Sequence, residues 1–408
     1  MITKFYMYTD FGDIMSKSIV LFRSELDTLN AFSEQMKLGF EELGYDIFMF
    51  DLTDSVISLG KLYEYLKENN IVAMVGFNIA FFGMQTPSGA NVWEQLGILC
   101  INILVDHPYW YRDILLKMRG NGLVLCVDGG HMSFVDRFYD NIGMNGFLAH
   151  GGTKCTDYIK PISQRGTDIL YAGSLYKKYI NLQKPDFTRW DFCAEQICED
   201  TIGFLLENTG YTIEEILERE LIRRGIVLTD DELCEFISSC VYIERTVSSH
   251  FREKIIKTIA ESGLDITLYG NGWEDCDWIK LSNVHYEGVI SAKDVLVKMQ
   301  DTKIVLNTMP WFKSGAHERI FNGLLRGCVV VTEESTYIND LFKDDELVTF
   351  SLADEDIAKL PYRLKGLLED DNLSAGIAGK GYNAAIGCHT WQDRAKEIHE
   401  FLDCDRNG

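Results

Sequence analysis

No stretch of the chain approaches the roughly 18 consecutive apolar residues of a membrane-spanning helix, so no transmembrane segment is expected. The opening residues, MITKFYMYTDFGDIM, lack a basic flank leading into an apolar core, so no secretory signal and a cytoplasmic location are expected. Positive charge is scarce: 39 Lys and Arg stand against 62 Asp and Glu, a net charge of −23. That excess speaks against nucleic acid as a partner, because phosphate backbones draw on Lys and Arg. It leaves room for a local basic pocket. The 11 cysteines are scattered, form no CxxC pair and stand with no His at zinc spacing. Cys100, Cys126, Cys240 and Cys328 lie in apolar settings and read as reduced core residues. No metal site is expected, and no acidic DxD pattern marks a strand end. No repeat at solenoid periods is visible.

What is present is ordinary globular material in quantity. With 408 residues and 46% apolar content the chain can build two sizeable cores. From Ser18 to Gly152 short apolar runs alternate with helical periodicities. Strands are predicted at Ile19–Phe22, Tyr45–Asp51, Ile71–Phe77, Cys100–Asp106, Leu123–Asp128 and Gly146–His150. Leu29, Phe32, Met36 and Phe40 mark the buried face of one intervening helix. Phe5–Tyr8 reads as a further strand, and Thr9–Ser16 as a Gly-containing loop. The alternation predicts a parallel sheet covered on both faces.

A polar, Gly- and Pro-bearing stretch, Gly151–Thr167, reads as a linker. It separates an N-terminal domain at 1–160 from a second at 168–385, with a last helix at 386–408. Strands of the second domain are predicted at Ile169–Ala172, Ile266–Tyr269, Val284–Tyr286, Ile304–Leu306, Val329–Val331 and Leu347–Phe350. Between the first two lies a helical insertion, 184–262, broken at Gly210 and Gly225. Its expected roles are a lid, an added layer or a homo-oligomer contact.

Ligands of open α/β sheets bind at the carboxyl ends of the strands, and the loops there hold the candidate chemistry. Gly173-Ser174 follow the first strand, with Lys177 within reach of an anion. Gly270-Asn271-Gly272-Trp273 follow the second; Asn-Gly accommodates positive φ and Trp can wall a base or sugar. Gly288-Val289 follow the third. After the fourth, Ser314 is placed to cap a helix from Ala316 to Arg326, with Gly315, His317, Glu318 and Arg319 around its start. Free N–H groups there, with Lys313, His317 and Arg319, suit phosphate. Glu333-Glu334 either face the same cleft or form a solvated turn. In the first domain Asp106-His107 and Asp128-Gly129-Gly130-His131 follow strands. Either His107 or His131 can serve as a general base or bond a ligand hydroxyl, with Asp106 or Asp128 orienting the ring. The aromatic loop Phe77–Gln85 is either core or a sugar-stacking wall.

Several of these phrases resemble one family. Arg319-Ile320-Phe321-Asn322 with Gly327 and Val330 is similar to the R-x-F-E-x-x-x-x-G-x-x-V signature of CgeB-like glycosyltransferases of GT-B fold. Leu170-Tyr171-Ala172-Gly173-Ser174, Tyr269–Trp273 and His389-Thr390-Trp391-Gln392-Asp393-Arg394 resemble further family phrases. Two family glutamates, which touch the donor sugar and the ribose, align with Ser314 and Asn322. The resemblance implies two Rossmann-like domains facing across a cleft, with the last helix crossing back to the first domain. It implies transfer of a sugar from a UDP- or GDP-linked donor to an acceptor, retaining and metal-independent, with no cofactor, in bacterial glycan or glycoprotein synthesis. The alternatives are a nucleotide-sugar epimerase or hydrolase of the same fold and a catalytically inactive partner subunit.

Overall fold

A computed structural model of the chain describes residues 17–155 and 158–404. The readings of Phe5–Tyr8 and Thr9–Ser16 lie outside the described residues. Twelve strands form two all-parallel six-stranded sheets. The first contains β1 (Lys17–Arg23), β2 (Asp46–Asp51), β3 (Asn70–Phe77), β4 (Leu99–Leu104), β5 (Gly122–Cys126) and β6 (Met144–Phe147), in the order β2-β1-β3-β4-β5-β6. The second contains β7 (Thr167–Ala172), β8 (Ile266–Tyr269), β9 (Val284–Tyr286), β10 (Thr302–Asn307), β11 (Val329–Glu333) and β12 (Val348–Phe350), in the order β12-β11-β10-β7-β8-β9. The apolar runs of β1 and β3 are buried along nearly their whole length, as strands covered by helices on both faces must be.

The predicted strand at Gly146–His150 is displaced. β6 pairs with β5 from Leu123↔Met144 to Cys126↔Phe147, and Leu148 adds a last bond to the Cys126 carbonyl. The chain then turns to meet its own C-terminal segment: Gly152 N–H donates to the His389 carbonyl and Trp391 N–H to the Gly152 carbonyl. A Cβ on Gly151 would lie 2.6 Å from the Trp391 nitrogen, so only glycine permits this approach. Between β4 and β5 the chain forms a 3₁₀ turn, Pro108–Tyr111, and one α turn, Arg112–Leu115.

The insertion folds as four helices, Ala194–Glu207, Ile213–Arg223, Asp230–Ser239 and Tyr242–Glu261. Thr212 with Glu215 and Thr229 with Glu232 form capping boxes that start the second and third. The last helix of the chain, Trp391–Cys404, packs on the first, Asp27–Glu42. Trp391 is fully buried, 4.6 Å from the Phe32 ring and 5.0 Å from that of Phe77. Arg394 donates to the carbonyls of Ala149 (2.7 Å), His150 (3.1 Å) and Cys388 (3.1 Å). The first sheet therefore owes one covering helix to the far end of the chain.

Two predictions follow from this packing. Trp391→Ala should cost about 3–5 kcal/mol of stability, the range for truncating a buried aromatic, read from urea unfolding; a loss under about 1 kcal/mol would remove Trp391 from the core. Burial holds the His150 and His389 rings down at about 4, so both fold neutral. Unfolded histidine takes up its proton near 6.5, so stability should fall as pH drops from about 6.5 toward 4. Burial raises Glu333 to about 7, which acts oppositely over about 4.5–7, since its protonated form is the folded one. His150→Phe should therefore narrow the gap between urea midpoints at pH 7 and pH 5. A gap as wide as in the parent chain refutes this role for His150.

Candidate active site

In the second sheet the strand order reverses between β7 and β10, and a cavity of about 360 Å³ opens there at the strands' carboxyl ends. Ala172, Gly173 and Ser174 after β7 form one wall, and Thr308 to Phe312 after β10 another. Gly270 and the Val289–Ala292 stretch close one end. The first domain contributes Thr28, Asp106, His107 and His131.

Three arginines face this space: Arg245, Arg252 and Arg319. Their partners are neutral. Arg319 donates to Asn307 Oδ1 (3.0 Å) and to His317 Nε2 (3.1 Å), and lies over the Tyr171 ring. Arg252 donates to the Ser174 carbonyl (2.8 Å). Arg245 stacks over Tyr176 at 4.0 Å and Trp110 at 4.9 Å. Buried Nε atoms of Arg245 and Arg252 have no hydrogen-bond partner among the described residues. In a chain of net charge −23, these arginines gather on one cavity, which they share with the carboxylates of Asp106, Glu244 and Glu318.

Arg245 and Arg252 were not among the sequence candidates. They sit on helix Tyr242–Glu261, part of the insertion to which no chemistry was assigned. The signal was local: Glu244, Arg245, Ser248 and Arg252 recur at helical spacing on an otherwise well-buried helix. The Trp311 indole N–H donates to Ser248 Oγ (2.7 Å), which ties this helix to the loop after β10.

Of the predicted donor-binding residues, Gly173, Ser174, Gly270, Val289, His317, Glu318 and Arg319 line the cavity. The others do not. Ser314 is not a helix cap: the helix runs Glu318–Leu324 with His317 in the cap position. Ser314 instead bridges the domains, its N–H donating to Asp128 Oδ2 (2.7 Å) and its carbonyl accepting from Gly129 N (3.2 Å). Gly315 shares this bridge, pairing with Asp128, where a Cβ would lie 2.3 Å from the Val127 carbonyl oxygen. Ala316 is buried in the core behind it. Asn322 accepts a hydrogen bond from Thr153 N (2.8 Å) and fixes the linker. Lys313 turns away to the Thr209 carbonyl.

The loop after β8 serves mainly to hold the loop after β7. Trp273 is fully buried, its indole N–H bonded to the Gly173 carbonyl (2.8 Å). Asn271 donates its N–H to Ser174 Oγ (3.1 Å), and a Cβ on Gly272 would strike the Leu175 carbonyl at 1.9 Å. Gly288 stands at φ +73° behind the cavity wall, its carbonyl accepting from Gly270 N. Lys177 is spent on an ion pair with Glu253. The aromatic loop after β3 is core: Phe82 is buried and packs edge-on to Phe22. Glu333 is buried beneath the loop after β10, accepting from Met309 N (2.9 Å).

The expected carboxylate–histidine pairs do not form. Asp106 accepts from the Tyr111 hydroxyl (2.7 Å), and Asp128 from Ser314 and Gly130. His107 faces Glu214 of the insertion at 3.5 Å and stacks on Tyr109. His131 lies 4.4 Å from the His107 ring, buried, with no well-formed hydrogen bond at either nitrogen. Burial, then the neighbouring His107, holds its pKa well below the usual value, so the ring is neutral. Opposite it, burial would raise the Glu318 carboxyl, but His317 and Arg319 outweigh this and keep it ionised. His317 Nδ1 lies 2.5 Å from the Glu318 carboxylate and 3.4 Å from the Arg319 N–H that it caps, and its Nε2 lies 3.1 Å from the Arg319 guanidinium.

The profile of a family described as glycosyl transferase-like matches residues 245–400. Curated proteins give no sequence match. Among solved structures the chain is similar to an alpha-glucosyltransferase in complex with UDP and a 13-mer DNA, at 12% identity and a TM-score of 0.56, covering 95% of this chain and 100% of that one. It is also similar to sucrose-phosphate synthase from Thermosynechococcus elongatus, at 9% identity and a TM-score of 0.53, covering 96% and 99%. A third is the Anabaena protein HepE in complex with UDP and glucose, at 11% identity and a TM-score of 0.50, covering 95% and 99%. At such identities the structural likeness establishes the fold, and the profile match adds the class. The chain has the GT-B fold, and its residues 245–400 carry a glycosyl transferase-like domain.

Proposed function

We propose that the cavity holds a nucleotide diphosphate sugar and that the chain transfers the sugar to an acceptor hydroxyl, with retention and without a metal. The observation that carries this reading is the convergence of Arg245, Arg252 and Arg319 on one cavity at the strand-order reversal. Their guanidinium groups suit paired phosphates, which they can grip bidentately. Val289, Ile290 and the backbone of Gly173 and Gly270 offer a slot for the base. The sugar then lies toward His131, His317 and Glu318. His131, buried and neutral, bonds a sugar hydroxyl without acting as an acid.

In the reaction the bond from the anomeric carbon to the diphosphate oxygen breaks as a bond to the acceptor oxygen forms. The acceptor's proton passes to the departing diphosphate. Charge grows on that leaving group, and preorganised arginines stabilise it more in the transition state than in the ground state. This local charge takes the place of a metal, and no group of three or more potential ligands gathers among the described residues. Glu318 supplies within the cavity the carboxylate that alignment put at Ser314, which counts against a purely structural partner subunit. Because two of the similar structures hold UDP, UDP is the first ligand to test. The CgeB-like subgroup and a glycan or glycoprotein acceptor belong to the same reading.

Arg252→Ala and Arg245→Ala should each weaken UDP binding about tenfold or more in calorimetry, given ~1.5–3 kcal/mol for a charged hydrogen bond, with unfolding midpoints near that of the parent chain. Parent-like UDP affinity in the double variant would take the helix out of the donor site. Turnover of a UDP-sugar should survive EDTA; loss restored by Mn²⁺ would overturn the metal-free mechanism.

A further inference from the structure

A second cavity, also about 360 Å³, lies between the turn Tyr109–Ile114 of the first domain and the insertion. Its insertion side is made by Arg189, Glu235, Ser238 and Ser239. A thin partition divides it from the donor cavity. The Tyr109 hydroxyl and the Trp110 indole N–H both donate to Glu244 (2.8 and 2.6 Å), and the Tyr111 hydroxyl donates to Asp106 (2.7 Å). Glu244 and Asp106 line the donor cavity, while the three aromatic residues line the second.

The chemistry of this groove is specific. Two basic side chains, Arg112 and Arg189, are balanced by Asp113 and Glu235, with Glu235 paired to both arginines. The groove therefore selects for neither anion nor cation. It offers the Trp110 and Tyr111 rings beside hydrogen-bonding groups, and just behind its wall Arg112 Nε and Ser238 Oγ are buried atoms without a partner among the described residues. A ligand with flat C–H faces and many hydroxyls fits that combination, because aromatic rings take the apolar face and the polar rim takes the hydroxyls.

We propose that this groove is an acceptor subsite for a neutral oligosaccharide, whose terminal sugar reaches past the Tyr109–Tyr111 partition into the donor cavity. The proposal rests on the donor reading for the direction of transfer but not for binding in the groove. The insertion then builds both sites: its last helix holds the diphosphate, and its third helix holds the acceptor.

The test uses the full chain on an array of neutral oligosaccharides of two to six units and the matching monosaccharides, read with and without UDP. The expected result is retention of at least one oligosaccharide class over its monosaccharide. Arg112→Ala and Ser238→Tyr should each lower that retention about tenfold, with UDP affinity as in the parent chain. Arg112→Ala adds no bulk and leaves Glu235 its pair with Arg189, so it decides the matter if the bulkier variant fails to fold. An array with no neutral oligosaccharide retained, or retention unchanged by Arg112→Ala, overturns the groove. Absence of UDP binding counts against the donor reading alone, since the array without UDP still scores the subsite.

Discussion

One carboxylate, Asp128, carries the relation between the domains. It is buried, with one oxygen accepting from Gly130 and so starting the helix that presents His131. The other oxygen accepts from Ser314 of the second domain. Burial alone would make such a group costly, and its pKa is raised for that reason; two backbone donors offset the cost. Because Asp128 engages the loop after β10 directly, the positions of His131 and Arg319 across the cleft are set together. The absence of a side chain at Gly315 is what allows the strand ends to meet.

Around this contact the insertion acts as a second clasp. Glu214 reaches His107, Glu244 reaches Tyr109 and Trp110, and Arg137 of the first domain is held by Glu218 and Asp230. The surface-exposed pairs contribute little singly. Glu244 differs because its two neutral donors are part-buried and its neighbour Arg245 faces the donor cavity. A ligand pulling on Arg245 therefore acts on the same helix turn that ties the first domain to the second.

Most of the framework was legible in the residues. Continuous apolar runs such as Ile19–Phe22 and Ile304–Leu306 have few alternatives to parallel strands, and loops after such strands have one edge to occupy. That reasoning put Gly173, Gly270, Val289 and Arg319 at the edge where the cavity opens. It failed where a residue's role is decided by a distant element. Ser314 has the chemistry of a cap, but its backbone is claimed by Asp128, 186 positions earlier. Trp273 looks like a sugar wall, yet burial against Tyr171 and Trp278 claims its ring. Arg245 and Arg252 reach the cavity only because helix Tyr242–Glu261 lies across the second sheet, a placement no local pattern encodes. Asp106 and His107 are adjacent in sequence, but Tyr111 and Glu214 are their partners in space.

The crossing of the last helix onto the first has a consequence for how the protein is made. Helix Asp27–Glu42 leaves the ribosome long before Trp391, which fills the gap between Phe32 and Phe77. The amino-terminal lobe thus stays unfinished until Trp391 has been made, with an apolar flank exposed. Nascent chains of this protein should depend on holdase chaperones more than a lobe whose helices are contiguous.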